Sequence, residues 1–167
     1  MAVTRKLANG IGAIACAACM AYALFAQYVL GLEPCPLCVL QRVAMIALGL
    51  VFVAAFLHDP GRIGARIYAV LLFLVAALGG SIAARHVWLQ NLPPSEVPDC
   101  GPGLEYMLNS FPLGESLNMI LSGSGECADV VWSFLGFSMP AWVFVSFVFL
   151  GVAGFLSNLH LSRAGEK

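Results

Sequence analysis

Charged residues are scarce in this sequence. Of its 167 residues, 10% are charged and 60% are hydrophobic, whereas soluble domains carry about 25% charged residues. A chain of this composition would expose apolar patches larger than soluble monomers tolerate. Basic residues are not in excess either, because 8 Lys and Arg stand against 9 Asp and Glu, which excludes the basic surface of a nucleic-acid-binding protein. The composition therefore excludes a soluble enzyme and predicts an integral membrane protein with a single domain, residues 1–167.

Four stretches are apolar enough and long enough to cross the bilayer, for which a helix needs about 20 residues. The predicted spans are 7–30, 38–57, 67–88 and 141–159. Pro140 is accommodated in the first turn of the last helix, where a missing N–H costs nothing. The first apolar run is longer than the core of a signal peptide, about 7–15 residues, and predicts a retained signal anchor. The predicted fold is an all-α membrane protein, a four-transmembrane-helix bundle.

The basic residues predict the orientation of these helices. They flank the bundle at three places, as Arg5 and Lys6, Arg62 and Arg66, and Arg163 and Lys167. The loops 31–37 and 89–140 contain no Lys or Arg. The positive-inside rule therefore predicts cytoplasmic termini, a cytoplasmic loop 58–66 and two outer loops. Within the longer outer loop, residues 113–121 are interpreted either as an amphipathic helix on the membrane surface or as a loop that packs on the bundle.

The six cysteines fall into two groups. Cys16 and Cys19 have the spacing of a redox motif but lie in the middle of the first span. Because a thiolate is costly at hydrocarbon depth, we interpret them as small apolar residues of one helix face, with acylation of Cys16 as the alternative. The other four belong to the outer loops, where an even number indicates two disulfides. These are Cys35, Cys38, Cys100 and Cys127.

The Cys35–Cys38 motif lies at the start of the second predicted helix. A helix N-terminus offers free N–H groups and a positive dipole end, which stabilise a thiolate. Arg42 follows Cys38 by one helical turn, so that its cation lies on the same face and lowers the thiol pKa further. The pattern predicts that Cys38 is a stable thiolate at the membrane boundary and that Cys35 is its more exposed partner.

Several polar residues inside the spans allow two interpretations. Arg42 either extends to the interface or is a functional intramembrane charge. Arg85 and His86 end the third span on the outer side, where we expect them to approach Arg42. They either anchor the helix beside Trp88 or donate to the carbonyl of a lipid-soluble acceptor. An aromatic belt, or else a cofactor wall, is predicted from Met139, Pro140, Trp132 and Trp142.

The octapeptide C-P-L-C-V-L-Q-R, from Cys35 to Arg42, resembles the DsbB family of bacterial thiol oxidoreductases. The resemblance extends to the four spans, the second outer cysteine pair, Arg85-His86 ahead of Cys100, and the segment Phe134–Trp142. It implies a multi-pass protein of the bacterial inner membrane, surrounded by the lipid bilayer, with its catalytic loops in the periplasm. The implied activity is reoxidation of a DsbA-like periplasmic thioredoxin-fold oxidase, with electrons passed to the membrane quinone pool, ubiquinone or menaquinone.

The resemblance also implies roles for individual residues. The redox disulfides would be Cys35–Cys38 and Cys100–Cys127, with a transient Cys35–Cys127 disulfide after the partner attacks Cys100. Cys38, held as a thiolate by Arg42, would reduce a quinone bordered by Arg42, His86 and Met139. Glutathione is excluded as the acceptor, because DsbA lies near about −120 mV and a pool near about −200 mV would be roughly 4 kcal/mol uphill.

Three rival interpretations differ from this one. The four outer cysteines would hold zinc in a binding protein, although Cys100 and Cys127 lie too far apart for the close pairs of four-thiolate zinc sites. Alternatively, two structural disulfides would stabilise a membrane scaffold. This interpretation does not explain why Arg42 lies one helical turn below Cys38. Within the enzyme class, the chain would serve a dedicated partner instead of the housekeeping oxidase.

Overall fold

The computed structural model describes residues 4–93, 95–98, 106 and 109–161. In chain order, the elements are α1 (Arg5–Tyr28), α2 (Pro36–His58), α3 (Arg62–Gln90), α4 (Leu113–Ser122), α5 (Gly125–Ala128), β1 (Ser133–Phe134), β2 (Phe137–Ser138) and α6 (Met139–His160). Four of them, α1, α2, α3 and α6, are long and apolar enough to cross a membrane. The predicted all-α fold with four membrane-spanning helices is confirmed.

The helices are longer at their N-termini than the predicted spans. α3 begins at Arg62 instead of residue 67, and α6 begins at Met139 instead of residue 141. Charges limit how far a helix enters hydrocarbon but not how far it continues into water, so the charge pattern locates only the apolar part. Local capping sets the true start of α1, where the Thr4 hydroxyl accepts a hydrogen bond from the backbone N–H of Leu7.

Small residues bring the long helices close together. A Cβ atom on Gly79 of α3 would lie 2.4 Å from the ring of Phe147 in α6, and one on Gly12 of α1 would lie 2.6 Å from the ring of Phe52 in α2. Lipid tails are as apolar as the side chains, so membrane helices associate through such close packing. Cys16 is buried in this core beside α2, as expected for a small apolar residue.

The described residues 109–138 belong to the predicted longer outer loop and are called the outer segment here. This segment folds over one end of the bundle. Residues 113–122 form a helix, α4, as the first interpretation predicted, and this helix packs on the bundle, as the second predicted. A second apolar cluster joins this segment to the bundle; its buried members are Leu37, Leu89, Ile120 and Cys127. Arg85 donates to the carbonyl oxygens of Leu121 and Ser122 at the end of α4, at 3.4 and 3.2 Å. The outer segment is therefore held on the ends of α2 and α3.

A short hairpin leads into α6. Ser133 pairs with Ser138, and Phe134 pairs with Phe137. The two turn residues, Leu135 and Gly136, both have positive φ, 52° and 82°, as the tight turns of two-residue hairpins require. This hairpin lies at the same end of the bundle as Cys35.

Candidate functional site

Cys35 and Cys38 lie at the N-terminus of α2. Cys35 is the N-cap residue, and its sulfur accepts a hydrogen bond from the backbone N–H of Cys38 at 3.4 Å. Pro36 occupies the first turn, where its fixed φ favours the start of a helix. The two sulfur atoms are unbonded thiols 3.1 Å apart, and both residues are half-buried. The helix start therefore presents both sulfurs at one point on the end of the bundle.

His86 contacts both sulfurs from α3. Its Nε2 atom lies 3.8 Å from the Cys35 sulfur, and its Nδ1 atom lies 4.0 Å from the Cys38 sulfur. The side-chain nitrogen of Gln41 lies 3.0 Å from Nδ1. Because an amide nitrogen can only donate, Nδ1 accepts this hydrogen bond, and in the neutral ring the proton is on Nε2, facing Cys35.

Gln41 was not assigned a role from the sequence, although it belongs to the octapeptide. It is 4% exposed, in a helix whose other buried side chains are apolar. The one sequence signal was its polarity within an apolar span. Only the packing of α2 against α3 shows that its partner is His86.

Cys127 of α5 joins this group from the outer segment. Its side chain is fully buried, and its sulfur lies 3.7 Å from the Ser124 hydroxyl. The pKa of the Cys127 thiol is raised, chiefly by a hydrogen bond with the Cys35 sulfur and to a smaller extent by burial. The fold thus brings together two cysteines that are far apart in the sequence.

Arg42 lies on the α1 side of the site. Its guanidinium donates to the Gln27 side-chain oxygen and, at 3.1 Å, to the carbonyl oxygen of Ala23. These hydrogen bonds join Arg42 to α1, and its role in holding the Cys38 thiolate stays a prediction. α1 therefore fixes the guanidinium at the site instead of leaving it to extend along the helix surface.

An open cavity connects these groups. Cys35, Cys38, Arg42, His86 and Met139 all line it. Its other walls include apolar side chains from three of the long helices, namely Met20, Met45, Pro140 and Val143. Apolar walls with a few convergent polar groups are typical of binding sites for small organic molecules. The cavity therefore has the character of a site for a small organic molecule, next to the Cys38 sulfur.

Two predicted neighbours of the cavity lie elsewhere. Arg85 was expected to approach Arg42, but its side chain points to the end of α4 and its guanidinium lies 4.3 Å from the ring centroid of Trp88. Trp142 packs on the hairpin, where its indole N–H donates to the Phe134 carbonyl oxygen at 3.1 Å. Successive helical residues point in different directions, so His86 faces the site while Arg85 faces away. Trp132 does line the cavity.

Some predicted features lie outside the described residues. Cys100 lies outside them, so the Cys100–Cys127 disulfide stays a prediction. Arg163 and Lys167 also lie outside them, so their contribution to the orientation of the helices in the membrane stays a prediction as well. Cys19 is half-buried and lines the membrane end of the cavity.

The site also has the donor atoms of a metal centre. One ligand atom each from Cys35, His86 and Cys127 lie within 4.8 Å of one another. Two sulfurs and an imidazole nitrogen suit zinc. The separation of Cys100 from Cys127 does not weigh against this group, because its third ligand is a histidine supplied by α3.

Comparisons with known proteins agree with the resemblance. The family model described as "Disulfide bond formation protein DsbB" matches residues 5–157. Two proteins named "Disulfide bond formation protein B" are similar over nearly their whole length. The one from Methylococcus capsulatus (strain Bath) is 55% identical over 153 residues, which cover 92% of this chain and 93% of that protein. The one from Nitrosococcus oceani is 54% identical over 155 residues, 93% of this chain and 90% of that protein.

Proposed function

Because this chain belongs to the DsbB family of disulfide bond formation proteins, we propose that it reoxidises a periplasmic DsbA-like dithiol oxidase and passes the electrons to membrane quinone. The family makes it a disulfide-forming oxidoreductase, and its helices make it a multi-pass membrane protein. The bacterial inner membrane, the periplasmic position of the loops, the partner and the quinone belong to the proposal. The observation that supports it best is the convergence of Cys35, Cys38, Cys127 and His86 beside one apolar cavity.

The proposed electron path begins in the outer segment. A thiolate of the reduced partner attacks Cys100, the Cys100–Cys127 bond breaks, and the sulfur of Cys127 leaves. The second partner thiol then attacks the mixed disulfide, which releases Cys100 and leaves the partner oxidised. Two electrons and two protons have moved from the partner to the Cys100–Cys127 pair.

The path continues at the start of α2. Cys127 attacks Cys35, the Cys35–Cys38 bond breaks, and Cys38 leaves as a thiolate. Cys100 then attacks Cys127, which restores the outer disulfide and frees Cys35. Oxidation of Cys35 and Cys38 back to their disulfide gives two electrons and two protons to the quinone. In balance, one partner dithiol becomes a disulfide and one quinone becomes a quinol.

His86 and Gln41 suit proton handling in these steps. The Nε2–H of His86 faces the sulfur of Cys35, so it can donate to that sulfur when Cys100 displaces it from Cys127. Gln41 donates to Nδ1 and so keeps the ring proton on Nε2, the atom next to Cys35. Arg42 provides a fixed cation in the same cavity, where it favours negative charge on Cys38 or on an acceptor oxygen.

Quinone, when bound, would supply the two-electron acceptor. The residues that would hold it are Arg42 and His86, as donors to its oxygens, and Met139, as part of the apolar wall. A bilayer-dissolved acceptor reaches this site because α2 begins at Pro36, at one end of a membrane-spanning helix.

The test is quinone absorbance over time, with detergent-purified protein, a reduced DsbA-type partner and a short-chain ubiquinone. Quinone loss should match partner oxidation mole for mole, and Cys38→Ala should abolish it. Cys16→Ala, which removes a thiol from the membrane core of the bundle, is the matched control and should keep turnover. A menaquinone analogue in a parallel assay determines which quinone is preferred.

Two results would contradict the proposal. The first is normal quinone turnover in Cys38→Ala. The second is absence of turnover with both quinone types in a preparation shown to be folded by its helical circular dichroism.

Zinc binding is a second candidate function, because ligand atoms of Cys35, His86 and Cys127 converge. It requires the thiols to stay reduced and predicts about one zinc ion for each purified chain. Metal analysis of protein purified without chelator tests it. Stoichiometric zinc that is lost in His86→Ala, together with absence of quinone turnover, would favour this function over the redox one.

A further inference from the structure

A second cavity lies at the end of the bundle opposite Cys35. It is formed where α1 and α3 begin and α6 ends, and we call it the basic pocket. Its polar lining consists of Arg5, Arg62, Arg66, Asn158 and His160. We propose that the basic pocket binds a phosphate group, that of an anionic phospholipid headgroup. This inference does not depend on the proposed redox function.

Arg5 provides the main argument, because it is a buried cation with an unused donor. It is 4% exposed, donates through Nη2 to the carbonyl oxygen of Pro60, and lies 3.8 Å from a carboxylate oxygen of Asp59. Its Nε atom is buried and has no hydrogen-bond partner among the described residues. A buried N–H without an acceptor is costly, and Arg5 lines the basic pocket, so its guanidinium adds positive charge to the wall that an anion would face.

Two further arginines extend from the first two turns of α3. Arg62 and Arg66 are exposed on one side of this helix and line the basic pocket. The N-cap residue of α3 is Gly61, which has no side chain to bond the free N–H groups of the first turn. Helix N-termini favour phosphate, and arginine forks bind it in a bidentate manner. Asp59, which faces Arg5, offsets only part of the charge of the three guanidinium groups.

The neighbouring apolar side chains favour a lipid over soluble phosphate. Ile63 and Ile67, next to Arg62 and Arg66 in sequence, are 77% and 56% exposed. They lie on a helix apolar enough to span the membrane, so they would contact acyl chains while the arginines bind the headgroup. Basic pockets between membrane helices are known to bind anionic headgroups in this way.

The test is native mass spectrometry of delipidated full-length protein in detergent, with phosphatidylglycerol or phosphatidylcholine added. The wild type should bind phosphatidylglycerol more tightly. Arg62→Gln combined with Arg66→Gln should weaken that binding by about 30-fold or more, because each arginine lost removes charge-assisted hydrogen bonds to the phosphate. Both arginines are exposed, so this variant should keep its helical circular dichroism.

Lys6→Gln is the matched control, because it removes a cation from the same end of the bundle. Lys6 lies over the ring of Phe56, 5.3 Å from its centroid, and does not line the basic pocket. The control should bind phosphatidylglycerol like the wild type. Inorganic phosphate is the third probe. If it displaces the lipid, and if its own binding depends on Arg62 and Arg66, the site is a phosphate site open to soluble anions as well.

Two results would overturn the inference. One is equal affinity for the two lipids. The other is equal weakening in Lys6→Gln and in the double variant, which would mean that diffuse charge at this end of the bundle, and not the basic pocket, attracts the lipid.

Discussion

Replacement of Gln41 by leucine should slow quinone reduction without unfolding the protein. Leucine has nearly the same size and suits an apolar helix, so packing of α2 against α3 should be kept. The lost interaction is the 3.0 Å hydrogen bond from the Gln41 amide to Nδ1 of His86. Both residues are almost fully buried, at 4% and 2% exposure, so water cannot readily replace the donor.

The size of the effect follows from this burial. Leaving one buried polar group without its partner costs about 1–3 kcal/mol, which corresponds to about 5- to 150-fold in rate or equilibrium. Without the Gln41 donor, the ring can carry its proton on Nδ1, facing Cys38, and it then no longer donates to the sulfur of Cys35. We therefore expect kcat to fall by about tenfold or more, while KM for quinone changes less.

The assay is steady-state quinone reduction with a reduced DsbA-type partner. Gln90→Leu is the matched control, because Gln90 lines the same cavity and has no hydrogen bond to His86 among those described. In a His86→Ala background, Gln41→Leu should have little further effect, since Gln41 acts through His86. Equal losses in the Gln41 and Gln90 variants, or fully additive losses with His86→Ala, would refute this reasoning.

Three further predictions concern the packing of the long helices, the ionisation of Cys127 and the attachment of α4. Asn9 and Asn158 exchange two buried hydrogen bonds between α1 and α6, at 3.2 and 2.8 Å, so alanine replacements in a double-mutant cycle should show about 1 kcal/mol of coupling in detergent unfolding; additive losses would contradict this. Because the pKa of Cys127 is raised in the folded, reduced protein, its thiol stays protonated there at a pH at which the unfolded chain has lost the proton. The contribution of this thiol to the free energy of unfolding is therefore complete below about pH 8.5 and declines above it by about 1.4 kcal/mol per pH unit. Thermal unfolding as a function of pH should show this decline in the wild type and not in Cys127→Ala. Arg85→Gln should speed amide hydrogen exchange in α4 about fivefold by removing its C-terminal donor, and unchanged exchange would mean that α4 is held by its apolar contacts alone.

The four spans could be predicted because their signal is local. Each is an apolar run of sufficient length, and its position depends on few residues outside it. The helix ends could be predicted less well, because capping by residues such as Thr4 and Cys35 determines them. The position of the Cys35–Cys38 motif at a helix start was also a local inference, from the motif and the apolar run that follows it.

The contacts of the site depend on packing and could not be read from spacing. Arg85 and His86 are adjacent in the sequence, yet one faces α4 and the other faces Cys35. The rotation of α3 about its axis decides this, and that rotation follows from close contacts such as Gly79 against Phe147. For the same reason, the role of Gln41 became evident only when α3 was placed against α2.

The burial of Cys127 constrains the order of events in the proposed reaction. A soluble partner attacks a disulfide sulfur that it can reach, but Cys127 is 0% exposed and packs with Leu37, Leu89 and Ile120. In the docked arrangement, the proposed partner therefore cannot reach Cys127 directly. In the docked arrangement, Cys127 instead faces Cys35, which is the sulfur it must attack next. Burial of Cys127 thus favours transfer within the protein over a second encounter with the partner, and entry of electrons at Cys100 stays part of the proposal.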